Sequence, residues 1–72
     1  MHAENLIKMA NQIGAFFEAM PDHDEAVSDI VRHLKNSWEP RMRNALLQHV
    51  AEQGDVELKP IVRDALVLLR KG

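Results

Sequence analysis

Lys8-Met9-Ala10-Asn11-Gln12-Ile13-Gly14-Ala15-Phe16-Phe17 is the stretch that decides how this chain is read. Its apolar residues belong to the series Leu6, Met9, Ala10, Ile13, Phe16, Phe17 and Met20, which keeps the three- and four-residue spacing of one helical face. The same stretch holds two adjacent amides, a mid-helix glycine and a phenylalanine pair. A glycine inside a helix costs about 1 kcal/mol relative to alanine, so something is expected to approach the backbone closely at Gly14. On a helical wheel, Leu6, Met9, Ile13, Phe17 and Met20 cluster as the expected core, and Ile7, Asn11, Gly14 and Glu18 form a second stripe beside them. A glycine with an amide one turn away suits close docking with a polar lock. Ile7, Asn11 and Gly14 are therefore candidate partner-binding residues, the alternative being that Gly14 packs inside the chain's own bundle.

Three further helices follow. Met20-Pro21 ends the first, because a proline ring disfavours helical geometry in the residue before it. Asp22 caps the second, with Glu25 placed to complete a capping box and Ala26, Val27, Ile30, Val31 and Leu34 as its inner face. This helix is expected to stop near Asn36. Pro40 occupies the first position of the third helix, where its missing N–H is harmless. Met42, Ala45, Leu46, His49 and Val50 face inward there, and Gly54 is the expected left-handed terminator. Pro60 opens the fourth helix, whose Ile61, Val62, Ala65, Leu66, Leu68 and Leu69 make a broad apolar arc. Leu47, Leu66 and Val67 are expected to fall outside the inner faces. No segment alternates like a strand, and the connections are short. The expected fold is all-α, a small antiparallel bundle of four short helices forming a single domain over residues 1–72.

Composition narrows the function classes. A chain of 72 residues buries only about 60% of the surface its unfolded form exposes and is marginal alone. It has no cysteine, hence no disulfide or thiolate zinc site to reinforce it, which leaves well-packed helices or a partner. Net charge is −2, which argues against general binding to nucleic acid. Neither a signal peptide nor an apolar run of about 18 residues is present, so no membrane span is expected and a soluble, cytoplasmic protein is the default.

Chemistry-bearing motifs are sparse. There is no glycine-rich phosphate loop, no histidine pair at helical spacing and no thiol nucleophile. Threonine and tyrosine are absent, and nothing around Ser28 or Ser37 resembles a nucleophile motif. His23 between Asp22 and Asp24 offers a metal or acid–base reading, although such a cluster at a helix start is more often a solvated cap. His49 reads as a core-edge histidine, and His33 flanks the stripe of the second helix. The chain is thus expected to have no cofactor, no metal and no catalytic site of its own.

A binding surface is the better-supported reading. Arg41 and Arg43 fall in the opening of the third helix, where positive charge opposes the helix dipole at about 0.3–1 kcal/mol each. Trp38 precedes the cap Glu39, so the Arg43 guanidinium is placed to stack on the indole. Tryptophan and arginine are enriched at binding hot spots, which makes Trp38, Arg41 and Arg43 the second group of candidate partner-binding residues.

Met9-Ala10-Asn11-Gln12-Ile13-Gly14 with Phe16-Phe17 resembles the opening motif of the delta subunits of NAD-dependent, molybdenum-containing formate dehydrogenases. His33-Leu34-Lys35 and Trp38-Glu39-Pro40-Arg41-Met42-Arg43 resemble the second motif, and the likeness runs from about Leu6 to Leu69. Glu39 stands where aspartate is common, and Ser37 where an aromatic residue often precedes the tryptophan. The resemblance implies a non-catalytic accessory subunit of a cytoplasmic enzyme. Its larger subunits, the expected partners, carry the molybdopterin, iron–sulfur clusters, flavin and NAD site. The alternatives are a free-standing homo-oligomeric helical adaptor, consistent with self-association in isolation, and a small metal or acid–base protein built on His23.

Overall fold

A computed structural model describes residues 2–71 and shows four helices: α1 (Ala3–Phe17), α2 (His23–Ser37), α3 (Pro40–Gln53) and α4 (Pro60–Lys71). No strand occurs among the described residues. α2, α3 and α4 start on expected devices, whereas neither His2 before α1 nor Glu39 before α3 makes a side-chain cap hydrogen bond. The Asp22 carboxylate accepts from the Glu25 N–H at 3.1 Å, which is the forward half of a capping box. Pro40 and Pro60 take the first position of α3 and α4. α1 stops at Phe17, three residues short of Met20, where the Met20 N–H folds back onto the Phe17 carbonyl at 3.0 Å. Gly54 ends α3 with φ +90° and ψ 178°, so it is a positive-φ terminator of the extended kind rather than the left-handed helical kind. No described helix is long and apolar enough to cross a membrane.

All four helices contribute to one apolar core. The predicted inner face of α2 is wholly buried, and Leu46, Val50, Ile61, Val62, Ala65 and Leu66 join it from α3 and α4. Leu66 is thereby interior and not marginal, while Val67 and Leu68 are exposed. The most extensive helix–helix contact joins α2 and α4, which are not consecutive. They run in the same sense. His23 near the start of α2 bonds Asp64 near the start of α4 at 2.9 Å, and Val31 and Lys35 share a hollow with Leu68 and Lys71 further along. Leu58, in the connection between α3 and α4, is also buried and was not among the expected core residues.

The orientation of α1 differs from the expected one. Its buried residues are Leu6, Ile7, Ala10 and Gly14, whereas Met9 and Phe16 are exposed and Ile13 and Phe17 only half-buried. The inward direction is rotated by about 75° from that of the expected core. Gly14 explains the rotation. A Cβ built on it would lie 2.6 Å from Val62 Cγ2 and 3.3 Å from Ile61 Cγ2, so the first turn of α4 rests on the bare backbone of α1. One turn earlier, Asn11 uses both ends of its amide on the connection into α4. Its Nδ2 donates to the Glu57 carbonyl at 2.9 Å, and its Oδ1 accepts from the Lys59 N–H at 2.9 Å. The stripe of Ile7, Asn11 and Gly14 is thus a docking face with a polar lock, and what docks on it is the chain's own C-terminal third.

Gly14→Ala tests this packing. The methyl gains about 1 kcal/mol of helix propensity but overpacks against Val62, which typically costs about 1–3 kcal/mol. The expected outcome is a lower melting temperature for the isolated chain. A higher one would show that α1 and α4 are not in this close contact.

Candidate partner-docking groove

Turning α1 so that Gly14 faces inward moves a second apolar stripe outward, about 100° around the helix from the buried face. Met9, Gln12, Ile13, Phe16 and Phe17 of α1 form one wall of an open groove of about 420 Å³, closed on the other side by His33 of α2 and Trp38 of the α2–α3 corner. Phe16 is 74% exposed and Met9 39% exposed. The Phe16 and Phe17 rings meet edge to face, centroids 5.0 Å apart and planes at 89°, which gives the rim a defined aromatic shape. Gln12 and His33 are the only polar residues of the lining, and no side chain with a fixed charge belongs to it. Both sequence blocks that carry the family resemblance contribute to this one groove.

Trp38 lines the groove with one edge and is otherwise interior, 5% exposed. It follows the last turn of α2 with φ −89° and ψ 139°, the extended geometry that turns the chain toward α3. Arg43 holds this corner. Its Nη1 donates to the carbonyls of Leu34 and Lys35 at 3.2 Å each and of Trp38 at 2.9 Å. Those of Leu34 and Lys35 are among the last carbonyls of α2, which have no partner within the helix. The guanidinium therefore sits at the negative end of α2 although it is carried by the first turns of α3. This corrects the expectation of an indole stack: what Arg43 binds at Trp38 is the backbone oxygen. Arg63 stands in the same place in α4. Its Nε donates to the carbonyls of Asp55 and Leu58 at 3.1 Å each, with the Asp55 carboxylate 3.9 Å away. Pro40-Arg41-Met42-Arg43 and Pro60-Ile61-Val62-Arg63 are thus two copies of one device, a proline that opens a helix and an arginine three residues on that grips carbonyls five and eight residues before it.

The six candidate partner-binding residues do not form one surface. Ile7 and Gly14 are buried against the chain itself, Asn11 is committed to the α3–α4 connection, and Trp38 and Arg43 build the α2–α3 corner. Arg41 is exposed and makes no hydrogen bond or ion pair among the described residues. Sequence reasoning placed Met9, Ile13 and Phe17 in the core and so missed the groove. The signal was present in Phe16-Phe17, because adjacent helical residues point about 100° apart and cannot both face one core. Asp22 is spent on its cap and His23 on Asp64, and no group of three or more potential metal ligands comes together among the described residues.

Three substitutions separate these roles in urea unfolding of the isolated chain. Trp38→Ala should cost about 3–5 kcal/mol, the usual loss for an emptied aromatic site. Arg43→Ala, which leaves helix-end carbonyls without a charged donor, should cost about 1.5–3 kcal/mol. Arg41→Ala should stay within about 0.5 kcal/mol of the parent. Equal effects of the two arginine substitutions would show that Arg43 is not the clasp of the corner.

Compared with known proteins, the chain matches the family described as the NADH-dependent formate dehydrogenase delta subunit FdsD over residues 5–66. Comparison with curated proteins found no match. Comparison with solved structures found none either. The family match spans α1 except Ala3 and Glu4, all of α2 and α3, and reaches Leu66 in α4. It takes in every residue of the groove, both proline–arginine devices and the Gly14–Val62 contact, and the chain belongs to the family of formate dehydrogenase delta subunits.

Proposed function

We propose that this protein is a non-catalytic accessory subunit that supports assembly or stability of a cytoplasmic formate dehydrogenase, and that it does so by covering its exposed groove with a larger subunit. The observation that carries this reading is Phe16. A helix of a small free-standing protein rarely leaves a phenylalanine 74% exposed beside a second aromatic ring and an open apolar cleft. Contiguous exposed apolar surface marks interaction sites, whereas scattered single residues do not. Phe16 and Met9 are contiguous, and they adjoin half-buried Ile13 and Phe17.

The same groove is poorly suited to catalysis. A catalytic constellation normally pairs an acid or base with a nucleophile or with a group that orients it. His33 is the only titratable residue of the lining. Burial of a helical surface against a partner needs no such pair. It needs apolar area on a scaffold that keeps its shape, and the Gly14 contact and the two arginine clasps supply that scaffold.

The test uses the native host. A tag on this chain should co-purify the larger formate dehydrogenase subunits in fixed proportion, and deleting its gene should lower the amount of assembled complex. Complex that forms in normal amount, with normal heat stability, in the deleted strain would refute the accessory role.

A further inference from the structure

We infer that the groove between α1 and Trp38 receives one bulky, uncharged apolar side chain from a segment of a larger subunit, with the backbone carbonyls of that segment facing Arg32, Asn36 and Ser37. The inference rests on the accessory-subunit reading and identifies what occupies its site.

The lining decides the chemistry of the knob. Met9, Ile13, Phe16, Phe17 and Trp38 offer apolar surface and no fixed charge, so a charged side chain would lose its hydration there without gaining a partner. Beyond Phe17 and His33 the groove continues into a hollow lined by Asp29, Arg32, Asn36 and Ser37. Asp29 is already engaged, its Oδ1 accepting from Arg32 Nη1 at 3.0 Å. The rest of the Arg32 guanidinium is exposed and keeps further N–H donors, and Asn36 and Ser37 are exposed beside it. Arg32 gives that end of the cleft a charged donor for carbonyl oxygens, and the Asn36 amide and Ser37 hydroxyl can each donate beside it as well as accept. A second copy of this chain is a poorer occupant on area alone. A stable pair buries about 800 Å² on each partner through some 20–30 residues. That is about a sixth of the 4751 Å² surface of this chain, and the groove with its adjoining hollow engages roughly half as many residues. A larger subunit can seat the same knob and extend the contact over neighbouring faces.

The experiment uses the full chain and a preparation of the larger subunits purified without it from a deletion strain. A photoreactive side chain is installed as Phe16→p-benzoylphenylalanine and, as a control on the α3–α4 connection, as Val56→p-benzoylphenylalanine. The residue-16 probe should attach to a larger subunit, at a peptide carrying a bulky apolar residue, and excess unlabelled chain should suppress the attachment. Phe16→Ser should weaken association about tenfold or more, the scale of a hot-spot truncation, while the melting temperature of the isolated chain stays unchanged. The inference is overturned if the chain binds but only the residue-56 probe attaches, if the residue-16 probe joins two copies of this chain, or if the labelled segment presents only charged side chains. In those cases the accessory reading itself can stand. If the unmodified chain fails to bind the larger subunits at all, that reading falls together with the inference.

Discussion

The contact of Gly14 with Val62 organises the molecule, because it sets which way α1 faces. Helix α1 carries apolar residues over more than half its circumference, and burial of either of two overlapping stripes would satisfy the hydrophobic effect in part. Choosing Leu6, Ile7, Ala10 and Gly14 gives the closer packing, since small residues at the crossing let α4 come down on the backbone. Asn11 then has its amide beside the α3–α4 connection and finds a donor and an acceptor there. Once that face is committed inward, Met9 and Phe16 have nowhere to go but outward. The exposed groove is a consequence of the tight crossing and does not arise from loose packing.

Electrostatics completes the frame without ion pairs of consequence. The Arg32–Asp29, Lys59–Glu18 and Arg63–Asp55 pairs all have exposed or half-exposed members, and such pairs contribute between nothing and about 1 kcal/mol. The arginines that matter bind carbonyls. Arg43 satisfies backbone oxygens at the end of α2 and at Trp38, and Arg63 those of the α3–α4 connection, so each corner is held by a planar, permanently charged donor with more N–H groups than any other side chain. Arg43 also resolves an apparent conflict. A cation in the opening turns of α3 is unfavourable to that helix, but its charge is delivered to the end of α2, where it is favourable.

Much of this was legible from residues alone. Helix starts were readable at Asp22, Pro40 and Pro60, because caps and prolines act locally. The inner face of α2 was readable because its opposite face is strongly polar. The face of α1 was not, because hydrophobicity ranks methionine and phenylalanine above glycine and alanine, while close packing at a crossing ranks them the other way. The polar lock of Asn11 was correctly tied to Gly14, but the partner turned out to lie 46 and 48 residues along the same chain. Leu58 was missed because a single apolar residue in a connection has no period. The arginine clasps were missed because their partners are main-chain oxygens, which leave no trace in sequence; the repeated spacing of Pro40 to Arg43 and Pro60 to Arg63 was the trace that existed.

The reach of that lock has a kinetic side. α1 precedes the residues that cover its inner face, Glu57, Lys59, Ile61 and Val62, which follow only after α2 and α3. Until they emerge during synthesis, Leu6, Ile7, Ala10 and the bare backbone at Gly14 have no α4 to rest on. α2 is in the same position, since its most extensive contact is also with α4. Closing a loop of this length costs chain entropy before any burial offsets it, and helical chains ordinarily avoid that delay by relying on local contacts. Here the first half of the chain cannot complete a core alone. Folding therefore waits for α4, and the groove takes shape only when α4 has turned α1 to face it.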